Sequence, residues 1–247
     1  MVHLNSNPEW FAEWFNSPYY HILYKNRDDQ EAAAFIERLC AFLKLTPESS
    51  ILDLACGAGR HSRVLHQLGY KVSGCDLSPN SIAEAKANSS AEIDFYVHDM
   101  RLPLPHKYDA ILNLFTSIGY FKELEDNLQV FESVSKGLNA NGTFVIDFMN
   151  CNKIVREMKP RYVLTIDDIT FHIKKEISHG RILKTITFED KGESYFFQEK
   201  VQVLTYEIFE DLLTKAGFKI KTVFGSYKLD AYDAEQSDRL ILICSND

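Results

Sequence analysis

The sequence predicts an α/β protein built on a doubly wound, mostly parallel sheet of seven strands, with a small antiparallel β-sheet inserted after strand 5. Three observations predict it. Apolar strand-like runs alternate with helical apolar stripes from residue 29 to residue 147, the pattern of a sheet wound on both faces. Ile51-Leu52-Asp53-Leu54 reads as a short buried strand that runs through the small residues Ala55, Cys56, Gly57, Ala58 and Gly59 into a helix starting near Arg60. Residues 157–204 change to strict alternation, after which a helix and two strands close the chain.

The glycine turn is the element around which the others are placed. Gly57 and Gly59 let the backbone bend sharply and approach a ligand, and the helix that follows turns its N–H groups and positive dipole end toward it. A dinucleotide loop would read G-x-G-x-x-G, but Ser62 stands where its third glycine belongs,. Asp53, at the strand's end, would repel a pyrophosphate and attract an ammonium group. Asp53-x-x-Cys56-Gly57-x-Gly59 resembles motif I of the Rossmann-like, class I S-adenosylmethionine-dependent methyltransferases. The family often carries glycine where this chain has Ala55. The resemblance implies that Asp53 holds the methionine ammonium, directly or through water, and that Ala55, Cys56, Gly57 and Gly59 give backbone contacts.

Taken in order, residues 1–28 form an aromatic segment with Trp10, Phe11, Trp14, Phe15, Tyr19, Tyr20 and Tyr24, broken at Pro18. It reads either as an amphipathic helix packed on the core or as a lid over cofactor and substrate, and Tyr20 and Tyr24 share a helix face. Residues 29–44 form a helix with Phe35, Leu39, Phe42 and Leu43 on its apolar stripe. The second strand, Tyr70 to Cys75, ends at Asp76, 23 residues after Asp53. Asp76 is placed to accept from ribose hydroxyls beside Leu77, with capping of the next helix through Ser78-Pro79-Asn80 as the alternative. The third strand, residues 93–98, leads to Asp99 and Met100; the resemblance assigns them to the adenine, whereas a turn role is the alternative.

The fourth strand, residues 108–115, runs through Phe115 into Thr116, Ser117, Gly119 and Tyr120, beyond the carboxyl end of a strand where open α/β sheets bind ligands. In the resembled family this stretch floors the methionine part of the cofactor. A helix with Leu124, Leu128, Phe131, Val134 and Leu138 follows, then a turn at Asn141-Gly142 and the fifth strand, which ends at Asp147 and Asn150. Tyr20, Tyr24, Tyr120, Asp147 and Asn150 are the candidates to surround the acceptor, and a solvated loop acid is the alternative for Asp147. Residues 157–204 form an antiparallel cap of three or so strands, turning at His179-Gly180 and Asp190-Lys191-Gly192. His172, Lys174 and His179 are substrate candidates there, with plain surface positions as the alternative. Thr205 can cap a helix over Tyr206 to Lys215, which Gly217 closes. The last two strands, 218–227 and 239–244, pair as a hairpin, so that the final strand is antiparallel, as the resemblance implies. The methyltransferase core is thus 29–156 with 205–247.

Composition limits the partners. The chain has 247 residues, a net charge of −8 and 45% hydrophobic residues. That excludes a broad basic surface, so nucleic acid is disfavoured as the main partner. The five cysteines are scattered and odd in number, which fits reduced thiols and a cytoplasmic protein. No His/Cys/Asp/Glu spacing suggests a metal, and no apolar run suggests a membrane.

The expected activity is in-line methyl transfer from S-adenosyl-L-methionine to a small-molecule N or O acceptor, leaving S-adenosyl-L-homocysteine. The sulfonium is itself the electrophile, so the protein needs only to orient the acceptor, and no residue stands out as catalytic base. The N/D-P-P-Y signature of nucleic-acid amine methylation is absent; Asn113-Leu114-Phe115-Thr116 stands in its place. The alternatives are an NAD-dependent oxidoreductase using the same cradle and a non-catalytic S-adenosylmethionine-binding module. A second copy of the chain, as a homodimer, is the candidate for assembly.

Overall fold

The computed structural model describes residues 14–25 and 29–246; Trp10 and Phe11 of the aromatic segment lie outside them. Among the described residues, the helices α1 (Pro18–Tyr24) and α2 (Asp29–Leu43) precede β1 (Ser50–Leu54). Then come α3 (Arg60–Gln67), β2 (Lys71–Asp76), α4 (Pro79–Ala87), β3 (Asp94–Val97) and β4 (Tyr108–Asn113). After α5 (Leu124–Gly137), β5 (Leu138–Met149) and α6 (Cys151–Glu157), the strands β6 (Arg161–Ile166), β7 (Ile169–Ser178), β8 (Arg181–Asp190) and β9 (Glu193–Gln202) follow in succession. The chain closes with α7 (Tyr206–Lys215), β10 (Lys219–Phe224) and β11 (Arg239–Ser245).

Seven strands pair in the order β10-β11-β5-β4-β1-β2-β3, with β11 antiparallel to both neighbours. The sheet is apolar on both faces, as a parallel sheet clad in helices must be. On one face Ile51, Ala110 and Leu112 pack with Phe35, Leu39, Leu65 and Ile82 from α2, α3 and α4. On the other, Leu52, Ile111 and Ile146 pack with Phe131, Val134, Phe209 and Leu213 from α5 and α7. Strand order reverses at β1, between β2 and β4, which opens the crevice in which such sheets bind ligands.

The second sheet is a four-stranded meander, β6-β7-β8-β9, one strand more than the alternation suggested. Its three hairpins turn on residue pairs with both φ positive: Asp167-Asp168, His179-Gly180 and Lys191-Gly192, the turn whose twist matches that of the strands. Phe171, Ile173, Ile186 and Phe188 bury its inner face in the same core as Trp14 and Leu23. Asn141-Gly142 is an irregularity inside β5, where pairing with β4 steps from Tyr108–Leu138 to Ala110–Thr143. Pro18 starts α1 at its first turn, after Ser17, whose side chain accepts from the Tyr19 N–H,. At α7 no Thr205 side-chain bond caps the helix, whereas Gly217, at φ +86°, ends it with the paired bonds Gly217 N–H to Thr214 O and Phe218 N–H to Leu213 O,.

Candidate active site

The turn after β1 is wound tightly enough to expose backbone. Ala55, Gly57 and Gly59 all have positive φ, and Ala55 takes that conformation at a cost of about 1–2 kcal/mol that glycine avoids. Gly59 has no room for a side chain, since a Cβ would sit 2.7 Å from the Phe95 ring. Asp76 fixes the turn from the neighbouring strand: its carboxylate accepts the Gly57 and Ser78 N–H groups at 2.8 Å each. Burial raises the pKa of Asp76 against the pull of these bonds. Ser78, not Asp76, caps α4.

Beyond the carboxyl ends of β1, β2 and β4 lies a cavity of about 450 Å³, the scale of a small-molecule site. Ala55, Cys56, Gly57, Asp76, Leu77, Asp99, Met100 and Phe115 line it, as do Tyr20, Tyr24 and Tyr120. Thr116 and Ser117 also contribute to the wall. Burial opposes ionisation of Asp99, but Arg101, bonded to both carboxylate oxygens, holds it below the usual carboxylate range. The sequence reading missed His21, Lys25, Arg60, His61 and Arg63, which add cationic and aromatic character to the wall. Arg60, His61 and Arg63 occupy the first turn of α3, so the helix start that follows the glycine turn was their signal.

Four expected site residues lie elsewhere. Asp53 is 1% exposed, does not line the cavity and accepts the Ser62 hydroxyl at 2.6 Å, so it anchors the start of α3. Burial, opposed by Ser62 and reinforced by Asp76, pushes its pKa up to about 6. Gly59 is packed against Phe95. Asp147 is fully buried and paired with Arg239 at 2.7 Å, so it is not a solvated acid, and it is absent from the cavity wall. Asn150 caps α6 and donates to Ala234 O and Ser237 O. Within the inserted sheet, His172 and His179 are exposed and Lys174 pairs with Glu176; none of the three lines the cavity.

Helix α1 roofs the cavity, and its anchors are polar. Trp14 Nε1 and the Tyr24 hydroxyl both donate to Glu199 Oε1, at 2.8 and 2.6 Å. Lys184 donates to the Tyr24 oxygen at 2.5 Å and lies 3.5 Å from Glu199 Oε2. Tyr19 donates to Asp190. On the opposite side Asn16 Oδ1 accepts from the Ser78 hydroxyl and the Asn80 N–H, at the start of α4.

A methyltransferase-domain family model matches residues 51–142, the span from β1 into β5. The putative methyltransferase YqeM of Bacillus subtilis is 30% identical over 207 residues, covering 79% of this chain and 83% of that protein. The chain belongs to the S-adenosylmethionine-dependent methyltransferases. A dTDP-3-amino-3,4,6-trideoxy-α-D-glucopyranose N,N-dimethyltransferase of Streptomyces venezuelae is 28% identical over 130 residues, 52% of this chain and 54% of that protein. The crystal structure of a S-adenosylmethionine-dependent methyltransferase from Clostridium acetobutylicum shares the fold, with a TM-score of 0.78 at 18% identity over 92% of this chain and 95% of that one. The methyltransferase therefore has the class I fold expected from motif I, and the nicotinamide alternative falls away. The site's donor set fits the cofactor. A carboxylate offers about four acceptor positions, more than the bonds to Asp76 use, so ribose hydroxyls can be accepted there. The open turn at Gly57, where a Cβ would meet nothing within 4 Å, leaves the backbone accessible.

Proposed function

We propose that this methyltransferase transfers the methyl group to an amine of a small molecule. The carrying observation is a cavity of about 450 Å³ walled in part by Tyr20 and Tyr24 of α1, the scale of a small-molecule site. The relative that methylates an amino sugar nucleotide supports nitrogen as the acceptor atom. The net charge of −8 weighs against a nucleic-acid acceptor.

In this reading Asp76 accepts from the ribose hydroxyls, and Asp99 with Met100 holds the adenine. Ala55 to Gly57 and Phe115 enclose the methionine part. S-adenosylmethionine supplies an electrophilic methyl on a sulfonium. The chain contributes orientation and exclusion of water: Tyr20, Tyr24 and Tyr120 wall the acceptor end and hold a neutral amine facing the methyl group. Asp53 acts on the cofactor only through the position of α3.

The test supplies methyl-labelled S-adenosylmethionine with three acceptor sets: glycine and an amino-sugar nucleotide, a catechol, and bulk tRNA. Label on the amines, with S-adenosylhomocysteine released in equal amount, is expected. Label only on the catechol, or only on tRNA, overturns the amine assignment.

A further inference from the structure

Phe115 and Thr116, two consecutive residues of the cavity floor, have φ of +59° and +63°. Phenylalanine and β-branched threonine rarely adopt that conformation, and it persists only where the surroundings over-determine it. The surroundings here are traceable atom by atom. Asp147, on the neighbouring strand β5, accepts the Phe115 N–H on Oδ2 at 2.9 Å and the Tyr227 hydroxyl on the same oxygen at 3.2 Å. Its backbone carbonyl accepts the Thr116 N–H at 2.9 Å. Arg239, at the start of β11, donates through Nε to Asp147 Oδ1 at 2.7 Å and through Nη2 to Thr116 Oγ1 at 3.1 Å. Thr116 Oγ1 also receives the Met149 N–H.

Neither Asp147 nor Arg239 lines the cavity, yet their bonds converge on the two left-handed residues that do. The turn in turn orients the Phe115 ring, which lies 5.3 Å from Tyr227 on one side and 4.8 Å from His61 on the other. The Arg60 guanidinium sits 4.5 Å from the same ring. Stability alone does not explain such a pair, because a buried ion pair can often be exchanged for apolar residues of similar volume without loss.

We propose that Asp147 and Arg239 are positioning residues for the cofactor. They hold Phe115 and Thr116 in the left-handed turn and, through the Phe115 ring, set the Arg60–His61 corner of the cavity. The inference needs only cofactor binding and is independent of the acceptor.

The experiment separates affinity from folding. The double variant Asp147→Leu with Arg239→Met removes both charges together, so no buried charge is stranded. Arg239→Lys keeps a cation opposite Asp147 but has one point donor where the guanidinium reaches both Asp147 and Thr116. Thermal melts and calorimetric titration with S-adenosylhomocysteine are run on each. The expected result is a double variant that melts below wild type, because the Phe115 N–H and the Tyr227 hydroxyl lose their acceptor,, yet stays folded at the titration temperature and binds at least about tenfold more weakly, with Arg239→Lys weakened severalfold. Wild-type affinity in Arg239→Lys, or in a folded double variant, overturns the proposal. Should the double variant fail to fold, Arg239→Lys alone decides. Absence of binding by the wild-type protein itself would instead overturn the cofactor assignment.

Discussion

Asp53 and Asp76 end neighbouring strands of one sheet, and their surroundings give them different work. Asp76 faces the cavity and holds Gly57 and Ser78. Asp76→Ala should weaken S-adenosylhomocysteine binding by about 1–3 kcal/mol, since hydrogen bonds to a charged acceptor are lost; calorimetry reads the change. Asp53 faces the start of α3, and its pKa rises from 3.8 to about 6 in the folded state. The folded protein therefore binds a proton there more tightly than the unfolded chain, so the stability this group contributes is full below about pH 4 and lost as pH rises through about 6,. Asp53→Asn keeps an acceptor for Ser62 and removes the ionisation. It should raise the melting temperature at pH 7–8 by the equivalent of roughly 3 kcal/mol and leave it unchanged near pH 4. A pH series of thermal melts on both proteins tests the sign. The sequence reading placed Asp53 and Asp147 at the ligand for one shared reason: a strand-end acid in an open sheet points toward the crevice unless something turns it. What holds Asp53 away from the crevice is the Ser62 hydroxyl, nine residues on in α3. What turns Asp147 is Arg239, 92 residues away. A trace of that pair was present, because Arg239 directly precedes the apolar run Leu240 to Cys244, and a charge beside a buried strand needs a counter-ion.

At the scale of elements, α1 and the inserted sheet behave as one polar-latched unit. Glu199 accepts from Trp14 and Tyr24 and stands beside Lys184, with both side chains of the ion pair 12% exposed. Glu199→Ala strands the Lys184 charge and two donors, which should cost about 3–5 kcal/mol locally. The expected signature is rapid proteolysis within residues 14–25, measured beside a Glu199→Gln control that keeps an acceptor. Trp14 and Leu23 are buried in the main core, as the packing reading of the aromatic segment expects, while Tyr20 and Tyr24 line the cavity. The elements readable beforehand were those with a local cause. Gly180 and Gly192 announced two of the hairpins. Asp167-Asp168 makes the same turn without glycine, so β6 was hidden. Helix α6 has seven residues, too few to show a stripe. Asn141-Gly142 looked like a turn because the sequence cannot show that β5 continues through it to pair with β4 and β11.

For the molecule as a whole, the cavity is assembled from segments remote in sequence. The roof comes from α1, and the walls from the turns after β1, β2, β3 and β4. The roof itself leans on the inserted sheet, so closing the site engages nearly every layer of the protein. A ligand that bridges these segments acts on the folding equilibrium of them all, and one that binds only the native state stabilises it by about 2.7 kcal/mol at a hundred times its dissociation constant. For a chain of this size that amounts to a rise in melting temperature of roughly 5–10 °C. S-adenosylhomocysteine should produce it, with slowed amide exchange in residues 18–24 as well as 55–59, because Tyr20 and Tyr24 of α1 wall the same cavity as the turn. NADH should produce neither effect, since Ser62 stands where a pyrophosphate-binding loop carries its third glycine,. A melting shift with S-adenosylhomocysteine that leaves exchange in α1 unchanged would mean that the cofactor is held by the sheet's crevice alone and that α1 answers to the acceptor.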